Sequence, residues 1–172
     1  MAVKKILLLG NKILRKKSKK VSLQQIDKKL IADLKDTLLD FRKKEGLGRG
    51  IAAPQIGITK RMLCIITKEF SGIMINPKIV KKSKKKIKVW DSCFSLKAAI
   101  FCKVLRHKEI EVEFFDEKGK KQKIAAKDAL SELLQHEIDH LGGIMCTDLI
   151  KSTKDIIMRE EWEKKGKPFL AD

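Results

Sequence analysis

The chain has 172 residues, 43% of them hydrophobic, which fits one globular domain and excludes wholesale disorder. Lys and Arg number 40 against 22 Asp and Glu, so the formal net charge is +18. The excess is mostly scattered lysine, without the interleaved aromatic residues or motifs of a nucleic-acid reader, which argues against sequence-specific nucleic-acid binding and leaves only loose attraction to RNA or the ribosome.

The first predicted element is an amphipathic helix over residues 23–45. Ser22 and Gln25 have the form of a capping box at its start, and the pattern continues down to Gly46. The apolar residues that recur at helical spacing between them are Ile26, Leu30, Leu34, Leu38 and Phe41.

Short apolar or alternating segments between Arg61 and Lys127 predict the strands of a mostly antiparallel sheet. These segments are residues 62–67, 72–75, 87–90, 99–105 and 110–115. Asn76–Pro77 and Glu117–Gly119 are predicted turns, and the second should close a hairpin onto Lys123–Ala125.

A second helix is predicted from Asp128, as its N-cap, through Leu141 to a stop at Gly142–Gly143. A short charged helix over about residues 152–165 follows it. The grouping of helix, strands and helix predicts an α+β fold, with mostly antiparallel sheets packed around the second helix, in a single domain spanning residues 1–172.

The four cysteines form no CxxC pair, which argues against a disulfide scaffold and a structural zinc finger and suits a reducing cytosol. The apolar run Ile6–Leu9 near the N-terminus is shorter than a secretory signal or a membrane span requires. We therefore expect a cytoplasmic protein without a membrane segment.

The second helix contains an H-E-x-x-H motif, His136-Glu137-Ile138-Asp139-His140. Residues four apart share one face of a helix, so both imidazoles can bind one metal ion while Glu137 accepts a proton from an activated water. Because two of only three histidines fall in this arrangement, a metal site is favoured over histidines that merely pack or face solvent.

A metal site of this kind needs a third protein ligand and an open position for water. No histidine follows His140, and the charged segment Glu160–Glu163 lacks an apolar setting. Cys93 follows an apolar run at a predicted strand end and would give a Cys/His/His site, although a lone cysteine is usually a small buried hydrophobe.

Three segments resemble motifs of the peptide deformylase family and occur in the same order. Gly48–Gln55 is similar to G-x-G-apolar-A-A-P-Q, His136–Gly143 is similar to H-E-x-D-H-L-x-G, and Asp91–Ser95 is an altered form of E-G-C-apolar-S. Together with Gly10–Arg15 near the start, the resemblance spans nearly the whole chain.

The resemblance implies a metal-dependent amide hydrolase that removes the N-terminal formyl group from nascent formyl-methionyl peptides and releases formate. It implies that Cys93, His136 and His140 hold one divalent metal ion and that Glu137 is the general acid/base. Fe(II) is the implied metal in the cell, and the ligand set also suits Zn(II), Ni(II) or Co(II).

The resemblance also implies substrate contacts. Gln55 and the backbone N–H of Phe94 would face the developing oxyanion. Gly50 would present its backbone to an extended peptide by strand addition, with the adjacent Ile51 also at the substrate site.

Four residues depart from the family pattern near the implied substrate site. Asp91 and Ser92 replace Glu and Gly before the implied cysteine ligand, and Asp91 shortens a carboxylate expected to orient a ligand. Arg49 and Glu132 occupy positions that the family commonly keeps apolar, so both are expected to contact the substrate. A carboxylate at Glu132 would disfavour a methionine side chain if it faced the pocket, whereas a side chain turned to solvent or paired with a lysine would have no such effect.

The sequence leaves three alternative functions. A deformylase-like amidase would act on another formyl or short N-acyl substrate with the same metal site. A general endoprotease fits less well, because the complete Gly48–Gln55 motif has no place in it. A basic RNA-associated protein with a vestigial site would have no chemical need for Glu137 and Gln55.

Overall fold

The computed structural model describes residues 3–171 and confirms the predicted α+β class with antiparallel sheets. The helices are α1 (Lys28–Glu45), α2 (Asp128–Leu141) and α3 (Arg159–Lys164). The strands are β1 (Gly50–Ala52), β2 (Met62–Ile66), β3 (Ser71–Lys82), β4 (Lys86–Ser92), β5 (Ile100–His107), β6 (Glu109–Phe115), β7 (Lys121–Lys127) and β8 (Ile156–Met158).

The strands form two sheets, one of five strands in the order β1-β2-β3-β6-β7 and one of three in the order β4-β5-β8. All of the strand pairings within them are antiparallel. Helix α2 contacts β1, β2, β6 and β7 of the larger sheet and β4 and β5 of the smaller one. It therefore brings residues of two sheet edges, β1 and β4, to one helix.

Helix α1 starts later than predicted, and the capping box at Ser22 is wrong. The Ser22 hydroxyl bonds the Gln24 side chain instead, and residues 23–25 form a separate 3₁₀ turn. The cap is Asp27, whose carboxylate accepts a hydrogen bond from Leu30 N at 3.0 Å. Gly46 ends the helix in the left-handed conformation, with φ 67°.

The predicted turn at Asn76–Pro77 is also wrong, because both residues lie inside the long strand β3. The register between β3 and β6 shifts between Ile75 and Lys78, which is the irregularity that lets a strand accommodate a proline. Asn76 has φ 52°, and its side chain exchanges two hydrogen bonds with the backbone of Val21.

The hairpin at residues 116–120 is confirmed, since it joins β6 to β7 with Gly119 at φ 76°. The helix predicted over 152–165 is only partly present. Residues 153–155 form a 3₁₀ turn, and Ile156–Met158 add a third strand to the edge of β5 before the short helix α3 begins. Pairing with an available strand edge outweighs helix propensity in this β-branched segment.

Helix α2 carries the H-E-x-x-H motif and begins one residue earlier than predicted, with Lys127 at the cap position and Asp128 as the first helical residue. Its apolar stripe packs as expected against strands of the larger sheet; the stripe residues are Leu130, Leu134, Ile138 and Leu141. Among residues 3–171, no helix has the length and apolar character needed to cross a membrane.

Candidate active site

Three side chains from two elements converge on one point. Nε2 of His136 lies 3.1 Å from Nε2 of His140, which lies 3.2 Å from Sγ of Cys93. All three residues are buried, and their possible ligand atoms lie within 4.8 Å of one another. The residues join here because the histidines occupy one face of α2 and Cys93 directly follows the end of β4.

These donors fit a divalent metal. Two ligand atoms at about 2.0–2.3 Å from a tetrahedral ion stand about 3.3–3.6 Å apart, close to the spacings seen here. Two imidazole nitrogens and a sulfur facing one another in a buried space are ill suited to hydrogen bonding among themselves, and their mixed N/S chemistry suits Zn(II) or Fe(II).

A buried ion network orients the His136 ring through Nδ1, the nitrogen that faces away from the candidate metal site. Its Nδ1 lies 2.7 Å from Oδ1 of Asp91, and the other carboxylate oxygen accepts a hydrogen bond from Arg106 Nη2 at 2.7 Å. Arg106 also pairs with Asp139 of α2. Burial opposes ionisation of Asp91, but His136 and Arg106 hold its pKa below the usual range. Shortening Glu to Asp in the second motif therefore still leaves a carboxylate against the histidine.

Glu137 is 3% exposed and sits beside the cluster. Burial raises the pKa of its carboxyl group to about 7. Within the described part of the chain, its Oε2 has no hydrogen-bond partner. A Cβ added at Gly50 would lie 2.7 Å from Glu137 Oε1, so the close approach of β1 to Glu137 requires glycine.

Gln55 is fixed in orientation by its own turn. It lies in the 3₁₀ helix Ala53–Ile56, and its Oε1 accepts a hydrogen bond from Ala52 N at 2.8 Å. The Nε2 amide group therefore points to Cys93 Sγ and to Ser95 Oγ, each at 3.4 Å. A buried amide donor is thus held at the edge of the candidate metal site.

One cavity of about 320 Å³ opens onto these groups. Nine of the candidate site residues and family departures singled out from the sequence line it: Arg49, Gly50, Gln55, Ser92, Cys93, Phe94, Glu132, His136 and Glu137. The ring of Phe94 stacks on Phe41 at 3.8 Å and leaves no room for a Cβ at Gly48, where φ is 132°. The glycine motif therefore shapes the cavity wall as well as the strand.

Arg49 and Glu132 form an ion pair on the wall of the cavity. Arg49 Nη2 donates to Glu132 Oε2 at 2.7 Å, and its Nη1 donates to the carbonyl oxygen of Ala129. Glu132 is therefore neither turned to solvent nor paired with a lysine.

The side chain of Ile51 is fully buried in the core against α1 and is not among the cavity-lining residues. It is therefore not placed to contact a substrate, unlike the side chains of the residues that line the cavity.

Two contributors to the site were missed from the sequence. Arg106 occupies an inward-facing position of β5, and the alternation of that strand was the available signal for a buried charge needing partners. The second contributor is the C-terminal segment, from which Trp162, Lys167, Pro168 and Phe169 line the cavity. No local pattern links those residues to the motifs.

Comparison with known proteins finds one family. The model of the family described as polypeptide deformylase matches residues 3–155. Peptide deformylase 2 of Clostridium acetobutylicum is 39% identical over 150 residues, covering 87% of this chain and 97% of that protein. The peptide deformylase of Pelotomaculum thermopropionicum is 36% identical over 162 residues, covering 94% and 100%.

Solved structures show the same likeness. The crystal structure of a peptide deformylase from Ehrlichia chaffeensis, in complex with actinonin, superposes with a TM-score of 0.81 at 31% identity and covers 97% of each chain. A peptide deformylase from Legionella pneumophila gives a TM-score of 0.79 at 34% identity, covering 95% of this chain and 93% of that one.

Proposed function

The chain belongs to the polypeptide deformylase family, and we infer from this membership that it is a metal-dependent hydrolase that removes the N-terminal formyl group from nascent peptides. The products of that hydrolysis are formate and a peptide with a free amino group. The convergence of Cys93, His136 and His140 beside the buried Glu137 is the observation that supports this function at particular residues.

We propose that Cys93, His136 and His140 bind the single divalent metal ion that the family uses. Fe(II) is the proposed metal in the cell, with Zn(II), Ni(II) or Co(II) able to occupy the same ligands. When bound, the metal supplies Lewis acidity that polarises the formyl carbonyl and lowers the pKa of a water molecule. Asp91 keeps His136 oriented with Nε2 toward this site, as the contact at Nδ1 supports.

Glu137 is the proposed proton carrier. Its carboxylate takes a proton from the attacking water and gives it to the leaving amine of the peptide. A pKa near neutrality suits both halves of this transfer, and the pKa of Glu137 is raised by burial to about 7. The unpartnered Oε2 supports the assignment, because a buried carboxylate oxygen needs a partner that the substrate water supplies.

Gln55 is the proposed oxyanion donor, together with the backbone N–H of Phe94. The amide orientation enforced by Ala52 N directs Nε2 into the site, where it can donate without changing charge. One such donor contributes about 10²–10³ in rate in other hydrolases.

Gly50 is proposed to bind the peptide backbone. It lies on β1, which is an edge strand of the larger sheet and therefore offers hydrogen-bonding groups to an added strand. Arg49 lies next to it on the cavity wall and, with Glu132, bounds the space beside the metal ligands, where the first side chain of the peptide would sit.

The ion pair between Arg49 and Glu132 supports a second candidate function, a deformylase-like amidase with a different formyl or short N-acyl substrate. A charged pair on the cavity wall offers polar groups that a thioether cannot use. Comparing formyl-Met, formyl-Lys and formyl-Ala peptides separates the two candidates.

We further propose that the enzyme works in the cytoplasm and is drawn loosely to the RNA of the ribosome by its net charge of +18. Such attraction is electrostatic and not sequence-specific, so it should weaken steeply between 50 and 200 mM salt. Salt-independent cosedimentation with ribosomes would contradict it.

The test of the proposed function is formate release from a formyl-Met tripeptide by protein loaded with Fe(II) or Ni(II) under anaerobic conditions. Glu137→Gln should retain one metal per chain and lose turnover, because the amide preserves shape but cannot accept a proton. Near-normal turnover in that variant would make Glu137 structural. Metal-loaded wild type without formate release would reject the deformylase function itself.

A further inference from the structure

The segment after the family match contributes to the same cavity. We call residues 156–171 the C-terminal strap; they lie beyond residue 155, where the match to the family model ends. The cavity that reaches the metal-ligand cluster is also lined by Trp162, Lys167, Pro168 and Phe169 of this strap.

The strap is anchored to β5 by its first residues and by Trp162. Its first residues pair with β5 as the strand β8, and the ring of Trp162 stacks on Phe101 at 4.1 Å with an interplanar angle of 15°. Trp162 Nε1 also donates to the carbonyl oxygen of Pro168 at 2.9 Å, which closes the turn after α3. The strap is thus a folded part of the cavity wall.

The end of the strap occupies an edge of the smaller sheet. Trp90 N donates to Phe169 O at 3.0 Å and Ala171 N donates to Lys88 O at 3.1 Å, with an antiparallel bridge between Val89 and Leu170. Strand β4 is an edge strand, so these are groups that an added peptide strand would otherwise use. The strap therefore covers this part of the β4 edge, so an added peptide strand cannot pair there.

Aromatic side chains are concentrated around this cavity. The chain has two Trp, seven Phe and no Tyr. Both Trp and three of the Phe line this one cavity: Trp90, Trp162, Phe94, Phe101 and Phe169. Phe94, Phe101 and Trp162 are buried, whereas Trp90 and Phe169 are only partly buried and keep aromatic surface that a bound side chain can cover.

We propose that the C-terminal strap forms the subsite for the peptide residues that follow the first one, and that it favours an apolar or aromatic side chain at the second or third position. This inference rests on the proposed function, because it places the formyl group at the metal-ligand cluster. Phe169 is the specificity-determining residue of the subsite, since it both lines the cavity and hydrogen-bonds through its carbonyl group to β4.

The test compares three substrates, formyl-Met-Ala-Ala, formyl-Met-Phe-Ala and formyl-Met-Ala-Phe. Phe169→Ala should lower kcat/KM for the better phenylalanine-containing peptide about 10-fold through KM, and leave formyl-Met-Ala-Ala within about 2-fold. Phe169→Leu keeps apolar packing against the core and should lose less. Leu170→Ala is the matched control, because Leu170 is 57% exposed and is not a cavity-lining residue.

Binding is measured separately in the Glu137→Gln background, where Trp90 and Trp162 report peptide binding by their fluorescence. The weaker binding of phenylalanine-containing peptides after Phe169→Ala should appear there too. An equal loss on all three peptides, no loss on any, or a gain would overturn the subsite. Strap-dependent binding without formate release from the wild type would reject the deformylase function and leave the strap's peptide preference standing.

Discussion

Arg49 and Glu132 form an ion pair whose two ends are unequally exposed. The Arg49 side chain is 44% exposed, whereas that of Glu132 is 3% exposed, and the atoms Nη2 and Oε2 are 2.7 Å apart. Burial and the nearby Asp91 raise the pKa of Glu132, and Arg49 opposes that rise. Removing the two partners should therefore have different consequences, since Arg49 can turn to water and Glu132 cannot.

Glu132→Ile should raise kcat/KM for a formyl-Met peptide, on the order of 10-fold or more, because the methionine side chain then packs against an apolar wall instead of against a buried carboxylate that a thioether cannot pair with. Arg49→Ala should lower it, because the buried carboxylate loses its cation. The double variant Arg49→Ala/Glu132→Ile should resemble Glu132→Ile. The measurement is kcat/KM for formyl-Met, formyl-Lys and formyl-Ala peptides. A strong wild-type preference for formyl-Met that Glu132→Ile leaves unaltered would place this side chain outside the methionine pocket.

Metal binding should depend on the thiolate of Cys93. Cys93→Ser should lose stoichiometric metal, as should His136→Ala and His140→Ala, because a site with three protein ligands tolerates the loss of none at stoichiometric affinity. Elemental analysis of the purified proteins is the measurement. Cys64→Ala is the control, because Cys64 is a buried cysteine of β2 that packs in the core apart from the candidate ligands. Full metal in Cys93→Ser would remove the thiolate from the site.

The local motifs could be predicted from the sequence because each has its own spacing. His136 and His140 share a helical face, and Gly50 and Gln55 lie within a few residues of each other, so short-range pattern was enough to place them. Partners that meet only after folding were not visible. The Arg106 side chain of β5 reaches Asp91 of β4 although the register pairs Asp91 with Cys102, and Phe169 pairs with β4 from a segment far along the chain.

Two element predictions failed for different reasons. The capping box at Ser22 is a valid local pattern, but the N-cap of α1 is Asp27. Its carboxylate accepts the hydrogen bond at the start of the helix and also pairs with Lys60 from the loop before β2. Asn76–Pro77 has the local sequence of a turn. Because β3 pairs with β2 on one side and with β6 on the other, the strand continues through these residues with a bulge. At α1 the local hydrogen bond from Leu30 N to Asp27 decides the cap, whereas in β3 contacts distant in sequence select the strand over the turn.

Gln55→Ala should lower kcat about 10²–10³-fold with a smaller effect on ground-state peptide binding, because an oxyanion donor acts mainly in the transition state. Gln55→Glu is the informative companion, since it keeps the size of the side chain but places an acceptor where the donor was. It should be at least as impaired. Single-turnover rates with metal content verified for each variant provide the measurement. An unchanged kcat in Gln55→Ala would exclude Gln55 from oxyanion stabilisation.

Asp27 should stabilise the fold through its cap on α1, in a pH-dependent way. Asp27→Ala should lower the free energy of unfolding by about 1 kcal/mol at pH 7, chiefly through loss of the bond to Leu30 N. The pair with Lys60 at 3.1 Å is partly exposed and contributes little. Asp27→Asn keeps an oxygen acceptor and should lose less than Asp27→Ala.

The pH dependence follows from the direction of the shift. The hydrogen bond from Leu30 N, followed by the Lys60 ammonium, lowers the pKa of Asp27 in the folded protein. A lowered folded-state pKa means that the charge-dependent stabilisation is present above the unfolded-state value, about 3.9, and is lost as pH falls through the folded-state pKa. Urea unfolding of wild type and Asp27→Asn at pH 7 and near pH 3 should therefore show a difference that shrinks in acid. A difference that stays constant or grows at low pH would show that the Asp27 charge does not stabilise α1.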